Sequence, residues 1–416
     1  MNRIISTLTL FLFISVLVGQ TTFTESAIST SADGAYDVHA VDLDADGDMD
    51  VLSASYNDDK IAWYENDGSE SFTEHAISTS ADAAHSVYAA DVDGDGDMDV
   101  LSASRDDDKI AWYENDGSES FTEHVISTSA DAAYSVYAAD VDGDGDMDVL
   151  SASAQDDKIA WYENDGSHGF ESSLFVSRDI STNADYAQSV YAVDVDGDGD
   201  MDVLSASYND DKIAWYENDG SESFTDHAIT TSADAAKSVY ATDIDGDGDI
   251  DVLSASYADG KITWYENNGS ESFTDHVITT SMQYAQSVYA VDVDGDGDMD
   301  VLSSAYAQSN SIAWYENDGS ENFTEHDITS SNNNARDLHA ADVDGDGDMD
   351  ILCAFYVDDK IAWYQNDGSG NFTEQSEIAA VDGASSVYAV DVDGDGDMDA
   401  LSASSGWQIE DKIAWY

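Results

Sequence analysis

Short apolar runs, each bounded by acidic, asparagine and glycine clusters, return in the same order along almost the whole chain. Asp42, Asp91, Asp140, Asp194, Asp243, Asp292, Asp342 and Asp391 occupy equivalent places, at steps of 49, 49, 54, 49, 49, 50 and 49 residues. In the second unit the runs are Ser86–Val92, Met98–Ser104, Lys109–Asn115 and Phe121–Ser127, which we call A, B, C and D. They are rich in Val, Ile, Tyr, Trp, Phe and Thr, and no 3.6-residue period runs long enough to compete, so they predict strands. Within C, Ile110 and Trp112 alternate, which suits a face packed against a neighbouring unit. The phrase Asn115-Asp116-Gly117-Ser118 between C and D predicts a hairpin turn.

Four antiparallel strands per unit, repeated eight times, predict an all-β chain whose units are β-propeller blades. The pattern also predicts how the ring closes. A D-like run, Phe23–Thr30, comes first, and the last run, Lys412–Tyr416, is C-like. If these two meet, they complete one blade and leave no open sheet edge. The expected fold is therefore eight four-stranded blades, closed by an N-terminal strand joining the C-terminal blade. Insertions around Glu171–Arg178 and Gly406–Glu410 fall between strands, where loops tolerate length change.

The first residues depart from this pattern. Met1-Asn2-Arg3 precedes an apolar run, Ile4–Val18, followed at once by polar Gln20-Thr21-Thr22. That run is short for a bilayer span and reads as a signal peptide over 1–20, leaving 21–416 as the propeller. The expectation is a secreted or cell-surface protein with no membrane span once the leader is removed. Cys353 is the single cysteine and replaces a repeat serine (Ser53, Ser102, Ser151), so no intramolecular disulfide is available. A secreted chain without one needs another staple.

Charge says what that staple is. There are 90 acidic residues against 12 basic ones, a net of −78, which repels phosphate backbones and excludes nucleic acid as a partner. The acids are not spread at random, because each unit carries a version of D-x-D-x-D-G-D-x-D. The loops are Asp42, Asp44, Asp46, Asp48, Asp50; Asp91, Asp93, Asp95, Asp97, Asp99; Asp140, Asp142, Asp144, Asp146, Asp148; and Asp194, Asp196, Asp198, Asp200, Asp202. The second half of the chain adds Asp243, Asp245, Asp247, Asp249, Asp251; Asp292, Asp294, Asp296, Asp298, Asp300; Asp342, Asp344, Asp346, Asp348, Asp350; and Asp391, Asp393, Asp395, Asp397, Asp399. Carboxylates at positions 1, 3 and 5 can converge on a hard cation, glycine at position 6 permits the sharp turn, and position 7 offers its carbonyl. Position 9 supplies the last oxygens. No helices flank the loop and position 12 is Ser102, so this is not an EF-hand. Two carboxylates ~4 Å apart repel by about 4 kcal/mol at an effective dielectric near 20, so such clusters need a cation. An oxygen-only donor set points to Ca²⁺, about one per repeat.

The units resemble the FG-GAP or VCBS repeat of integrin-α-like propellers, through the stretch from Tyr88 to Leu101 and the following Asn115-Asp116-Gly117. The resemblance covers residues 22–416. It implies a calcium loop joining innermost strand A to strand B, with Asp91, Asp93, Asp95, the Asp97 carbonyl and Asp99 as ligands. The chain departs from that pattern in having eight units where seven is familiar, and in lacking Phe-Gly and Gly-Ala-Pro.

Other recurrent residues read as structural. The strand-C tryptophans pack the core, and His39 and His339 are packing variants of a repeat tyrosine. His75, His124, His227, His276 and His326 on strand D face solvent. The lysines opening strand C, such as Lys60 and Lys109, pair weakly with neighbouring acids. No nucleophile–base constellation stands out, so the expectation is a non-catalytic, monomeric binding or adhesion protein with an extracellular protein or glycan ligand. The alternatives are a lectin-like propeller and a polysaccharide lyase or dehydratase. The calcium-side loops barely vary between units, whereas the opposite face does. There the candidate ligand residues are Tyr56, Arg105, Tyr208, Tyr257, Tyr306, Tyr356 and Trp407. Tyr36, His85, Tyr134, Gln188, Lys237, Gln286, Arg336 and Ser385 lie before strand A on the same side.

Overall fold

The structure is a computed structural model describing residues 23–416, apart from 24, 70, 119, 167–174, 222, 271, 307–310, 330–333, 376–377, 395 and 407–410. The expected leader, Trp407 and Asp395 therefore lie outside the described residues. In the second blade, strands A to D span Ala84–Ala90, Asp99–Ser104, Lys109–Asn115 and Phe121–Ser127. They pair antiparallel in that order. Strand A starts two residues earlier than its sequence pattern suggests, because its pairing with B continues past an irregularity between Ala84 and Ser86. Eight such sheets form the chain. In the seventh, strand D is split into Phe372–Glu374 and Ala379–Ala380, both paired with Lys360–Asn366.

Closure follows the expected route. Ser26–Ser29 pairs antiparallel with Ile413–Trp415, so the eighth blade takes its outer strand from the other end of the chain. No helix among the described residues is long and apolar enough to cross a membrane.

Burial explains the composition of each strand. Strand B, for example Asp99-Val100-Leu101-Ser102-Ala103-Ser104, is buried at every position, because neighbouring blades cover both its faces. Its small Ala and Ser residues permit that close approach. Strand D alternates between exposed and covered positions, as an outer strand must. The core is not inside a blade but between blades. Leu52, Ile61 and Trp63 of the first blade pack with Ala84, Val87 and Tyr113 of the second, and eight clusters of this kind run round the ring. Truncating one of these tryptophans to Ala costs about 3–5 kcal/mol. At the centre, strands A of adjacent blades meet. Their aromatic rings form a belt in which Tyr88, Tyr137, Tyr191, Tyr240 and Tyr289 follow one another at centroid distances of 5.0–5.9 Å. His39 and His339 take the same place in their own blades, against Tyr88 and Tyr388.

Candidate metal loops and ligand face

Each Asp-rich loop joins strand A to strand B, and its own carboxylates hold its shape. In the second blade, Asp91 Oδ2 accepts the Gly96 N–H at 3.1 Å, Asp93 Oδ1 that of Asp95 at 3.2 Å, and Asp95 Oδ1 that of Asp97 at 2.9 Å. Gly96 has φ near +99°, which only glycine adopts readily, so position 6 sets the turn. Position 9 is clamped from both sides. Asp99 Oδ2 accepts the Val92 N–H at 3.0 Å, and its Oδ1 accepts the Asn115 N–H at 2.7 Å.

This folding brings positions 1, 3 and 9 together. Asp91, Asp93 and Asp99 each offer one oxygen within 4.8 Å of the others. The same holds for Asp42, Asp44 and Asp50; for Asp140, Asp142 and Asp148; for Asp194, Asp196 and Asp202; and for Asp243, Asp245 and Asp251. Three further acid groups meet the same test. Positions 5 and 7 contribute differently. Asp95 and its described counterparts cap the turn, while Asp97 lays its carboxylate over the C–D turn, where a Cβ on Gly117 would collide with its Oδ2.

The donor set fits a hard, oxygen-seeking cation. Oδ1 of Asp42, Asp91, Asp140 and Asp342 is buried and has no hydrogen-bond partner. In other loops the same oxygen accepts the position-4 N–H, as Asp194 does from Gly197 at 2.8 Å. Burial pushes Asp99 up to about 7, and its counterparts Asp148, Asp251, Asp300, Asp350 and Asp399 equally, with Asp50 and Asp202 at about 6. Burial followed by repulsion from Asp95 also raises Asp93. A cation amid these oxygens would reverse both penalties.

The C–D turn then stitches neighbouring loops. The Asn115 side chain donates to the Met98 carbonyl of its own blade and to the Leu43 carbonyl in the first blade's loop, both at 3.1 Å. Asn66, Asn164, Asn218, Asn267, Asn317 and Asn366 repeat the link, the first of them to Val392 of the eighth blade. Replacing Asn115 by Ala strands a buried carbonyl, so we expect thermal unfolding to show a loss of about 1–3 kcal/mol. A variant that melts with the parent would show that the stitch carries no energy.

Strands C and D hold two recurring contacts that the sequence understated. His124 is part-exposed, but its ring stacks on Trp112 at 4.5 Å and bonds Glu114 at 2.7 Å. Where the third blade has Arg178 instead, it covers Trp161 and pairs with Glu163. In the seventh, Gln375 bonds Gln365 at 2.9 Å, so both partners change together. The lysines correct the expectation of weak surface pairing. Lys60, Lys109, Lys212 and Lys360 are buried. Lys109 Nζ lies 3.1 Å from Glu123, 3.2 Å from Asp107 and 2.8 Å from the Ser80 carbonyl that leaves the preceding blade. Breaking such a pair on one side costs far more than breaking a surface pair.

The opposite face is built from B–C and D–A turns, joined for example by the Tyr56 N–H to the Gly34 carbonyl at 2.9 Å. Here Tyr208, Tyr257, Tyr306 and Tyr356 line one cavity of about 450 Å³ at the mouth of the central channel. Tyr36, Tyr134, Gln188, Lys237, Gln286 and Arg336, from before strand A, line it too. Tyr56 and Arg105 stand beside it: Arg105 bonds the Tyr56 hydroxyl at 2.5 Å and lies 5.8 Å from the Tyr134 ring centre. Sequence reasoning missed Tyr186 and Tyr284. Tyr186 meets the Tyr134 hydroxyl at 3.2 Å, and Tyr284 lies 5.0 Å from Tyr257. The available signal was that other units carry Ala83, Ala132 or Ala235 at this place.

Three comparisons place this geometry among known proteins. No curated protein matches the sequence. Solved structures of like fold include an Agrocybe aegerita lectin described as recognising non-reducing terminal N-acetylglucosamine. It has 16% identity and a TM-score of 0.53, with 84% of this chain and 91% of that one covered. A V. cholerae biofilm matrix protein has 13% identity and a TM-score of 0.57, covering 94% and 90%. A putative 6-phosphogluconolactonase of Bacteroides fragilis has 13% identity and a TM-score of 0.54, covering 83% and 99%. At these identities the likeness is one of fold. The FG-GAP-like repeat matches residues 42–102, 91–151, 143–205, 194–254, 243–303, 303–353 and 342–402, a tiling that follows the loops just described. The chain belongs to the FG-GAP-like repeat family.

Proposed function

We propose that this is a secreted, non-catalytic binding propeller held in shape by calcium, with one ion in each A–B loop. The observation that carries the calcium reading is the buried, unpartnered Oδ1 of Asp42, Asp91, Asp140 and Asp342, in the second blade beside a position-9 carboxylate already clamped in place. In each loop, positions 1, 3 and 9 would hold the ion, which would supply charge compensation rather than chemistry. Oxygen donors on a flexible loop suit Ca²⁺ better than Mg²⁺, which demands tighter octahedral geometry. A non-catalytic role is supported by the repeat itself. The acids serve the same loop in all eight units, and the residues that break the repeat are chiefly aromatic and cationic.

Binding is the reading that the opposite face supports, since the Tyr and Arg side chains around one mouth, half-buried apart from exposed Tyr306, are the types that anchor recognition. The fold is shared with a lectin and with a biofilm matrix protein, which favours a glycan or extracellular protein as ligand. Isothermal titration with calcium should give about eight ions per chain, and Asp99→Asn should remove one. A stoichiometry near zero would overturn the proposal.

A further inference from the structure

Resting on that reading, we propose that the cavity at the mouth of the channel binds an acidic saccharide. Its carboxylate would sit between Lys237 and Arg336, and its sugar ring against the tyrosine faces.

The first argument is the placement of positive charge. Of 12 basic residues, Lys60, Lys109, Lys158, Lys212, Lys261, Lys360 and Lys412 open strand C, and Arg3 lies in the leader. That leaves Arg105, Arg178, Lys237 and Arg336. Arg178 sits on an outer strand, while the other three converge on this mouth from the second, fifth and seventh blades. All three add their repulsion to burial in holding His85 down to about 3, so they share one space. In a chain with a net charge of −78, a cavity whose lining holds Lys237 and Arg336 and no acid among the described residues is a marked exception, and the two cations repel each other there.

Arg105 is answered by Asp106 at 3.6 Å, whereas the partners of Lys237 and Arg336 are chiefly neutral groups. Lys237 donates to Gln188 at 3.0 Å and lies 5.9 Å from the Tyr208 ring centre. Burial, then Arg336, lowers its ammonium to about 8. Arg336 lies 4.1 Å from the Tyr36 ring centre and 5.3 Å from that of Tyr356. Asp37 and Asp337 line the adjoining part of the channel, which also touches Lys237 and Arg336, and Asp337 is held by its neighbours. Its Oδ2 is committed to the Val387 N–H and the Ser386 hydroxyl, each at 3.0 Å. Asp37 is likewise turned to the Val87 N–H at 3.0 Å. An anion in the cavity lined by Tyr208, Tyr257 and Tyr306 therefore faces Lys237 and Arg336 and no lining acid among the described residues.

The walls select the rest of the ligand. They offer ring faces, hydroxyls and the amides of Gln188, Asn209 and Gln286, with no aliphatic side chain among the lining residues. Such a surface suits a molecule with one flat apolar face and many hydroxyls, and gives a peptide's apolar side chains nothing to fill. The volume of about 450 Å³ suits a few sugar rings. Tyr186 and Tyr284 add a cost that packing alone does not explain. They sit at φ of +61° and +64°, where the other blades place Gly34, Ala83, Ala132, Ala235, Asn334 and Gly383, and a bulky residue there is strained.

The test uses the calcium-loaded chain at physiological salt, with titration of trigalacturonic acid, its fully methyl-esterified form and hexaglutamate. The expected result is about tenfold or tighter binding of the acid over its neutral ester, the scale of a charge-assisted contact. The acid should also bind more tightly than hexaglutamate. The double variant Lys237→Met, Arg336→Met should bind acid and ester alike and keep its calcium-dependent melting. Equal binding of acid and ester by the parent, hexaglutamate binding as tightly as the saccharide, or no binding of any probe would each overturn it. The parent comparison needs no variant, so a folding defect cannot mask the outcome. Failure of the calcium reading would appear separately, as melting indifferent to chelator.

Discussion

Stripping calcium with excess chelator should lower the melting temperature by on the order of 15 °C, and adding calcium back should restore it. The estimate follows from mass action. Loops of this extracellular kind bind with dissociation constants of ~10⁻⁴–10⁻³ M, so calcium at about twenty times the lower value stabilises each site by about 1.8 kcal/mol. Eight sites sum to about 14 kcal/mol, and an unfolding entropy of ~2.1 cal/mol/K per residue converts that to the stated shift. Acid should act in opposite directions on the two forms. Asp99 is raised to about 7 by burial when no cation is present. Its stabilising contribution is then complete below its ordinary range near 4 and is lost as pH rises through 7. The calcium-free protein should therefore melt higher at pH 5 than at pH 8. The calcium-loaded protein should do the reverse, because protons displace the ion. Melting curves that ignore chelator at pH 8 would sink the staple.

Deleting residues 23–30 should abolish cooperative unfolding and produce soluble aggregates. The loss reaches well beyond the four residues of the paired strand. Ser26–Ser29 covers the edge of Ile413–Trp415, Glu25 pairs with Lys412, and Phe23 packs edge-on against Trp363 at 5.5 Å. Ile28 joins the cluster between the eighth and first blades. Without them the ring has an open edge and an uncovered inter-blade surface, and both promote association. Adding a synthetic peptide of residues 23–30 should restore a monomeric elution profile. A truncated chain that melts like the parent would mean that closure does not depend on this pairing.

Much of this was legible because the repeat supplies eight readings of the same strand. Lys109–Asn115 and Phe121–Ser127 have the bounds their apolar pattern implied, since each ends at a polar turn. Strand A did not, because its first pair lies beyond a pairing irregularity that alternation cannot see. In the loops, the acid spacing pointed to a candidate metal site, but it could not separate the converging positions 1, 3 and 9 from the turn-capping Asp95 or from Asp97 over Gly117. Those differences depend on the direction of each side chain. Contacts between blades were the least legible. Asn115 reaches Leu43 across 72 positions, and Lys109 is buried by a carbonyl 29 residues earlier. The mouth was foreseeable as a set of odd residues, yet its convergence of cations from three blades required the ring.

The asparagine stitches would also change how calcium-binding loops respond to the ion as a group. Each one holds the position-9 carboxylate of its own blade through its backbone and the adjoining loop through its side chain. A filled loop therefore presents its neighbour with an already ordered partner, and the conformational cost of the next ion falls. With seven stitches among the described residues for eight loops, such a system would behave as a one-dimensional lattice with nearest-neighbour coupling, running from the eighth blade through the first to the seventh. Its titration curve should be steeper than that of eight separate sites. The molecule would then register a threshold in calcium concentration rather than report it in proportion.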